Sequence, residues 1–422
     1  MAGLNAPDVL NAENLLKPIR HLSVTIGPRR PASAGERAAA AYVLDTIRQI
    51  NSRWEVINQP FRSVDGLRYR LAPLAALAGL SLLAGLRRRR QTQIIAGLLC
   101  TGLSVISRDA FLARSMIWET WVPRGESQNV IVRIPPRRRV QRRVVFVAHL
   151  DAGRHRLTTD PRVVRWLPYT LGGITLMALV GGVLSVLAGK RGRWRGLRAL
   201  LGLSALGAAG LAVADESGPD TCGAIGNASG VAVLLGLART LAKHPLETTE
   251  VVLAFTGSGT ATATGADMLA TTFGEAWRDA LWVVVANVGA GELCWVTRHG
   301  ISPYAYYYPH PDAVHVMERV ADARPDLGLM GKPMLTLDEV ALLRDRDLRA
   351  VALMGYDRVT GLIPHWRQAS DTIHAVSPET VERAAHTCWT TARVLDDSDA
   401  WPLEPQSRRS LSLAQVNRRV NQ

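Results

Sequence analysis

His149 and Asp151 are the residues of this 422-residue chain whose types and spacing best suit chemistry. They close an apolar run, residues 144–148, that reads as a strand ending in an imidazole and a carboxylate. An imidazole at a strand end can ligate a metal or move a proton, and a carboxylate two residues on can orient it. Four further stretches sit at or just after strand ends, or open a helix, and carry mostly glycines, hydroxyls and amides. They are residues 223–230 (Gly-Ala-Ile-Gly-Asn-Ala-Ser-Gly), 255–265 (Phe-Thr-Gly-Ser-Gly-Thr-Ala-Thr-Ala-Thr-Gly), 287–291 (Asn-Val-Gly-Ala-Gly) and 365–372 (His-Trp-Arg-Gln-Ala-Ser-Asp-Thr). The hydroxyls of Ser258, Thr260, Thr262 and Thr264 have two readings: a nucleophile with His149 as its base, or small polar loop filling. Cys222 reads as a thiol nucleophile or ligand, or as a bystander. Tyr304, Tyr306, Tyr307 and Tyr308 line a pocket mouth or pack an edge strand.

The elements that must position these stretches follow from periodicity. Ser33 and Glu36 have capping-box spacing ahead of an amphipathic helix over 34–52. Strands are predicted at 54–61, 129–134, 144–148, 250–254, 282–287 and 350–353. Helices are predicted at 229–243, from Ala266 onward, and at 378–395. Alternating strands and helices predict an α/β fold, a three-layer αβα domain with a mostly parallel mixed sheet. Loops at the C-terminal ends of parallel strands form the ligand crevice of such folds, so the five stretches should converge there.

In these stretches, in residues 27–36 and in the closing Asp371-Thr-Ile and Pro378-Glu-Thr380, the chain resembles the zinc-dependent exopeptidases of the aminopeptidase Y and bacterial leucyl aminopeptidase type. Members of that family carry an AHxD strand end, a GxxDNASG helix start, a GxEExGxxG loop, an NxD strand end and a late histidine before an SDT-like turn. The resemblance implies two zinc ions sharing one bridging carboxylate, and a glutamate acting as general base on metal-bound water. Carried over, it makes His149 a zinc ligand and Asp151 its orienting neighbour. The bridging aspartate falls on Gly226, the general base on Gly259 and the adjacent glutamate ligand on Thr260. The aspartate after Asn287 falls on Gly289, and the late histidine on Arg367. One ligand of five remains, so no cofactor is expected where the family binds two zinc ions. Asp220, Glu292 and His365 are the nearby substitutes, and His149, Asp151, Asn227, Ser258, Thr260, His365 and Arg367 are the expected pocket residues. A guanidinium at 367 in the metal's place, paired with Asp151, would keep a buried carboxylate neutralised.

Composition adds a second theme. Hydrophobic residues make up 47% and charged residues 20% of the chain, with a formal net charge of +14. The positive charge is concentrated at residues 87–90, 137–143 and 190–198. Two of these bursts separate uncharged runs: 71–86 from 91–107, and 166–189 from 199–214. Apolar run, basic tip, apolar run is the plan of a membrane hairpin, and the glycines at 172, 173, 181, 182 and 202 suit close helix association. The expected division is peptidase-like domain at 1–70, 109–165 and 215–398, membrane hairpins at 71–108 and 166–214, and a tail at 399–422. The lipid bilayer is therefore an expected partner, with peptides or another membrane protein beside it. No aromatic-interleaved basic stripe supports nucleic-acid binding. The four cysteines have no paired spacing, and the first 30 residues lack the apolar core of an export signal. The basic tips place the hairpin turns in the cytoplasm and the folded domain outside a multi-pass cell-membrane protein. The leading expectation is a membrane-embedded pseudo-peptidase that binds or regulates without catalysis. The alternative is an active membrane metallo-aminopeptidase with an atypical site.

Overall fold

The computed structural model describes residues 8–87, 89–188 and 194–397. The tail at 399–422 and part of the second basic tip lie outside the described residues. In chain order the main elements are α1 (Ala12–Arg20), α2 (Ala34–Ile50), β1 (Glu55–Ser63), α3 (Arg68–Ala84), α4 (Arg90–Phe111), β2 (Gly125–Ile134), β3 (Arg142–His149), α5 (Leu167–Leu187) and α6 (Arg195–Asp215). Then follow α7 (Ser229–Lys243), β4 (Thr249–Thr256), α8 (Thr264–Phe273), β5 (Leu281–Val285), β6 (Glu292–Arg298), α9 (Pro311–Ala323), β7 (Met330–Pro333), α10 (Val340–Asp345), β8 (Arg349–Tyr356) and α11 (Pro378–Asp396).

The strands form one mixed sheet in the order β1-β2-β4-β3-β5-β8-β6-β7. Its centre, β4-β3-β5-β8, is parallel, while β2 pairs antiparallel with both β1 and β4, and β6 pairs antiparallel with β8. Along β3, Val144, Phe146 and Ala148 enter one core and Val145 and Val147 enter the other. Both faces are covered, which explains the unbroken apolar runs of the central strands. The first core is capped by α1, α2, α7, α9 and α11, the second by α8 and α10. This is the expected three-layer α/β architecture. The strand expectation omits β6 and β7. Met330–Pro333 is only four residues long and carries none of the apolar alternation that marks a strand.

Topology places the crevice. The chain leaves β3, crosses to β4 through α7 on one face, and returns past β3 to β5 through α8 on the other. The C-terminal end of β3 is therefore a switch point, where loops diverge and leave a cleft. His149 stands there, in register with Thr256 of β4.

Helices α3 to α6 form a separate four-helix bundle, with α3 against α6 and α4 against α5. The helices cross where glycines remove side-chain bulk. A Cβ at Gly79 would lie 2.7 Å from the Gly202 carbonyl, and one at Gly97 2.6 Å from the Gly182 carbonyl. Gly181 meets Leu82, but Gly172 faces Pro303 of the α/β domain and Gly173 meets nothing within 4 Å, so neither serves helix association. Outside the bundle, Leu80, Leu98, Val105, Leu187, Leu200 and Leu203 are exposed. By length and composition α4, Val164–Leu187 and α6 could each cross a membrane. So could Ala224–Lys243, but 89% of its apolar window is buried against 22–39% for the other three, which makes it a core helix. With 17 residues, α3 reaches about 26 Å.

Candidate functional site

Residue by residue, the cleft at the end of β3 is built around Asp151. Its carboxylate is fully buried. Oδ1 accepts the Gly259 N–H at 2.7 Å, while Oδ2 accepts the Thr260 N–H at 2.8 Å and the Thr260 hydroxyl at 2.5 Å. The Thr260 hydroxyl is thus spent on holding Asp151. Nδ1 of His149 lies 2.9 Å from the Asp151 carbonyl oxygen. A carbonyl only accepts, so Nδ1 carries the proton and Nε2 is the free nitrogen. Burial opposes charge on His149, but the Asp151 hydrogen bond and the negative charges of Asp151 and Glu339 outweigh it and raise its pKa. Burial likewise opposes charge on Asp151, and His149 and Thr260 bring its pKa below the usual range.

The side chains that the carried-over pattern would need are replaced by close packing. A Cβ at Gly226 would lie 2.5 Å from Oδ1 of Asn287 and 3.4 Å from Oδ2 of Asp371. Asp371 is pinned there by the N–H groups of Ile225 and Gly226, at 2.7 and 3.2 Å. A Cβ at Gly259 would meet the His149 Cβ at 2.4 Å and Oε1 of Glu339 at 3.1 Å. Arg367, in a left-handed conformation with φ of 52°, lines the cleft, and its Nη2 donates to the Thr260 carbonyl at 2.6 Å. Burial lowers its pKa to about 10 while Asp151 and Asp215 oppose the fall, so the guanidinium stays charged at neutral pH. It reaches Thr260 rather than pairing with Asp151, which corrects the expected ion pair.

Other expected residues fall elsewhere. Gly289 packs against Ile225 and Ser229, and the side chain that β5 delivers to the cleft is that of Asn287, two residues earlier. Asn227 does not face the cleft; its amide braces Val285, Gly230 and Asn287. The Ser258 hydroxyl is buried without a partner, and Thr262 and Thr264 bond Ser63, so neither arrangement offers a nucleophile to His149. His365 turns to Ser370 at 2.8 Å. Asp220 pairs with Arg30 and Arg154, and Glu292 with Arg383. Cys222 contributes its carbonyl to Arg29. Tyr307 stacks on His299 and accepts the Asp338 N–H, while Tyr304 and Tyr308 are exposed.

Sequence reasoning missed Glu339, and it gave no role in the cleft to Asp371 or Arg29, whose segments it had singled out. The signal for Glu339 was available: the acid pair Asp338-Glu339 interrupts apolar sequence just ahead of 340–343, and buried adjacent acids need a reason. Both line the cleft, which opens to solvent. His299 engages Asp338 at 2.7 Å, Glu339 accepts the Thr256 hydroxyl at 3.3 Å, and burial raises the Glu339 pKa.

This donor set does not fit a di-zinc centre. Glycines at 226 and 259 supply no ligand, a guanidinium stands at 367, and among the described residues no group of three His, Cys, Asp or Glu side chains is arranged to hold a metal ion.

Behind the cleft, Glu36 accepts the N–H groups of Ser258 and Ala32. Burial and the charge of Asp151 push its pKa up to about 8. A raised carboxyl pKa makes a contribution to stability that is complete below the unfolded value of about 4.3 and is lost as pH rises through the folded one. Between pH 5 and 8 the protein should therefore lose stability by up to about 1.4 kcal/mol per unit from this group. Thermal unfolding across that range checks it, and Glu36→Gln should flatten the slope.

No family profile and no curated protein matches this sequence. Solved structures do match in fold. A glutaminyl cyclase from Bacteroides thetaiotaomicron, bound to N-acetylhistamine, superposes with a TM-score of 0.56 at 13% identity, covering 94% of this chain and 100% of its own. A Zn-dependent exopeptidase from Parabacteroides distasonis gives 0.54 at 14% identity, covering 93% and 100%. A zinc aminopeptidase from Bacillus subtilis gives 0.53 at 14%, covering 92% and 95%. The fold is that shared by zinc exopeptidases and glutaminyl cyclases.

Proposed function

We propose that this chain is a membrane-embedded, non-catalytic relative of the aminopeptidase Y and bacterial leucyl aminopeptidase type, which uses its cleft to bind rather than to hydrolyse. The observation that carries the reading is Arg367, whose guanidinium sits in the cleft on the Thr260 carbonyl. A fixed cation there repels a metal ion. The closed backbone at Gly226 and Gly259 supports the same conclusion.

The bundle of α3 to α6 anchors the protein in the cell membrane, supported by its exposed leucines and glycine crossings. The four arginines at 87–90 and the five basic residues at 190–198 place both hairpin tips in the cytoplasm and the α/β domain on the opposite side. Peptides, their amino-acid units or another membrane protein are the partners this arrangement suits.

Purified full-length protein should contain substoichiometric zinc and leave aminoacyl-nitroanilides intact. Near-stoichiometric zinc lost on His149→Ala, or hydrolysis lost with it, would overturn the reading. Reporter fusions at residue 88 should read cytoplasmic, and a periplasmic or extracellular signal would invert the topology. Glu339 favours one rival, an active enzyme with an atypical site, because it brings a carboxylate beside His149. The same assay decides against that rival if Glu339→Gln and wild type are equally inert.

A further inference from the structure

The helices of the bundle can be levelled against one another. Sγ of Cys100 in α4 lies 3.7 Å from the Ala78 carbonyl oxygen of α3 and 3.2 Å from the Ala178 carbonyl oxygen of α5. These three residues therefore share one level, near the middle of α4 and α5. Ten residues of helix span about 15 Å, so residues 68, 110 and 168 lie about 15 Å from that level, at the base facing the α/β domain. Arg90, ten residues from Cys100 in the other direction, lies about 15 Å away at the tip. Tip and base are thus about 30 Å apart, the thickness of a bilayer's hydrocarbon core. Aromatic side chains from three segments gather at the base. The short helix Ile117–Trp121 is fixed to the first turn of α3. The Trp118 indole donates to the Tyr69 carbonyl at 3.0 Å, and buried Arg70 and Glu119 pair through hydrogen bonds of 2.6 and 3.1 Å. On that helix Trp121 is 78% exposed. Trp166 and Tyr169 open α5, both exposed, with the Arg165 guanidinium 5.7 Å above the Trp166 ring. From the α/β domain, Pro303 and the exposed Tyr304 ring approach α5, at 3.0 and 3.4 Å from a Cβ at Gly172.

We propose that the α/β domain is seated on the bilayer, with Trp121, Trp166, Tyr169 and Tyr304 forming a collar in the lipid headgroup layer. The proposal rests on the membrane reading of the bundle and adds a lipid contact made by the domain itself. Tryptophan and tyrosine favour that layer because the ring is taken up among apolar groups while its N–H or O–H stays wet. Left in water, the same rings would be a cluster of exposed apolar surface with nothing to cover it. Arg165 brings a cation to the level of the lipid phosphates. Trp121 and Tyr304 lie outside the four bundle helices, so their seat in the headgroups holds the domain down. The collar also places the cleft. Thr221, on the cleft wall, is six residues beyond Asp215 at the end of α6. Six residues reach at most about 21 Å, which bounds its height above the base. Thr336, also on the wall, accepts the Gly300 N–H at 3.0 Å, where the loop bearing Pro303 and Tyr304 begins.

The test measures nitroxide depth on the full chain in nanodiscs of phosphatidylcholine and phosphatidylglycerol, from the relative access of oxygen and an aqueous nickel complex. Labels go on Trp121→Cys and Tyr304→Cys in the collar, Leu98→Cys in the bundle and Val140→Cys ahead of β3, all at exposed positions. The native cysteines are buried or half-buried, and wild type carried through the same labelling sets the background. Leu98→Cys should read within about 5 Å of the bilayer centre, being two residues from Cys100. The two collar labels should read about 10–20 Å from the centre, and Val140→Cys, at the far end of β3 from the cleft, beyond about 22 Å. Collar labels as accessible to nickel as the label at 140, with that at 98 deep, overturn this proposal alone and leave the collar to a protein partner. A label at 98 that is open to nickel sinks the membrane reading beneath it. Ile117→Cys, on the same short helix, takes the place of Trp121→Cys if that variant fails to fold.

Discussion

Replacing Gly259 with glutamate should destabilise the protein by about 3 kcal/mol or more. This is the substitution that restores the general base of the family the chain resembles, so a purely sequence-based view predicts a gain. The packing predicts a loss. The new Cβ would lie 2.4 Å from the His149 Cβ, a distance that neither backbone can absorb without displacing β3 or the 257–260 loop. That loop holds Asp151 through two N–H groups and a hydroxyl, so a shift also strips a buried carboxylate of its donors. The added carboxylate would join Asp151, Glu36 and Glu339, and the pKa values of the last two are already raised by burial and by neighbouring acids. Thermal unfolding of wild type and variant measures the effect. Unchanged stability with newly acquired zinc would show that the cleft retains room for the metal.

Arg29→Met should cost about 4–5 kcal/mol, the range of a broken buried charge network, and should collapse the cleft first. Arg29 has no exposed surface, and its guanidinium donates to five backbone carbonyls: Leu22, Gly27, Leu150, Cys222 and Gly223. It therefore ties the segment after α1 to the end of β3 and to the loop that opens α7. Burial lowers its pKa to about 10, with Asp371 and Asp151 opposing the fall, so it remains a cation facing both acids. Methionine fills similar volume but leaves five carbonyls without a donor and two carboxylates without a counter-charge. A lowered unfolding midpoint, with protease cleavage appearing near residues 223–230, is the expected result. A midpoint within a degree or two of wild type would show that solvent replaces the guanidinium.

The cleft is also tied to the base of the bundle. The Arg367 carbonyl accepts the Arg156 N–H at 3.0 Å, and Gln368 reaches Thr159 at 2.9 Å. Asp215, the last residue of α6, holds the Thr158 N–H and hydroxyl. The loop that presents Arg367 is thus clamped to the segment entering α5 and, through it, to the end of α6.

Much of this was legible in the sequence for a local reason. The runs around 144–148 and 250–254 must be strands buried on both faces, and the apolar stretch 229–241 is long enough only for a helix, which ends at Lys243. The hairpin plan is equally local, being an alternation of uncharged runs and arginines. Substituted positions such as Gly226, Gly259 and Arg367 need only a register, which the flanking motifs supply. Gly289 shows where that fails: beyond the end of β5 the register depends on how the loop folds, and the left-handed Asn287, with φ of 54°, turns its own side chain to the cleft.

By itself the sequence determined the layered α/β fold and the position of the crevice at the end of β3, because periodicity and residue identity act within a few residues. Only the tertiary structure decided what fills the emptied space. Glu339, Asp371 and Arg29 come from segments far apart in the chain, and a buried charge is recognisable as a partner or an orphan only once its neighbours are assembled around it. His149, Asp151 and Arg367 were visible from the start, whereas the Glu339 carboxylate packed against residue 259 was not.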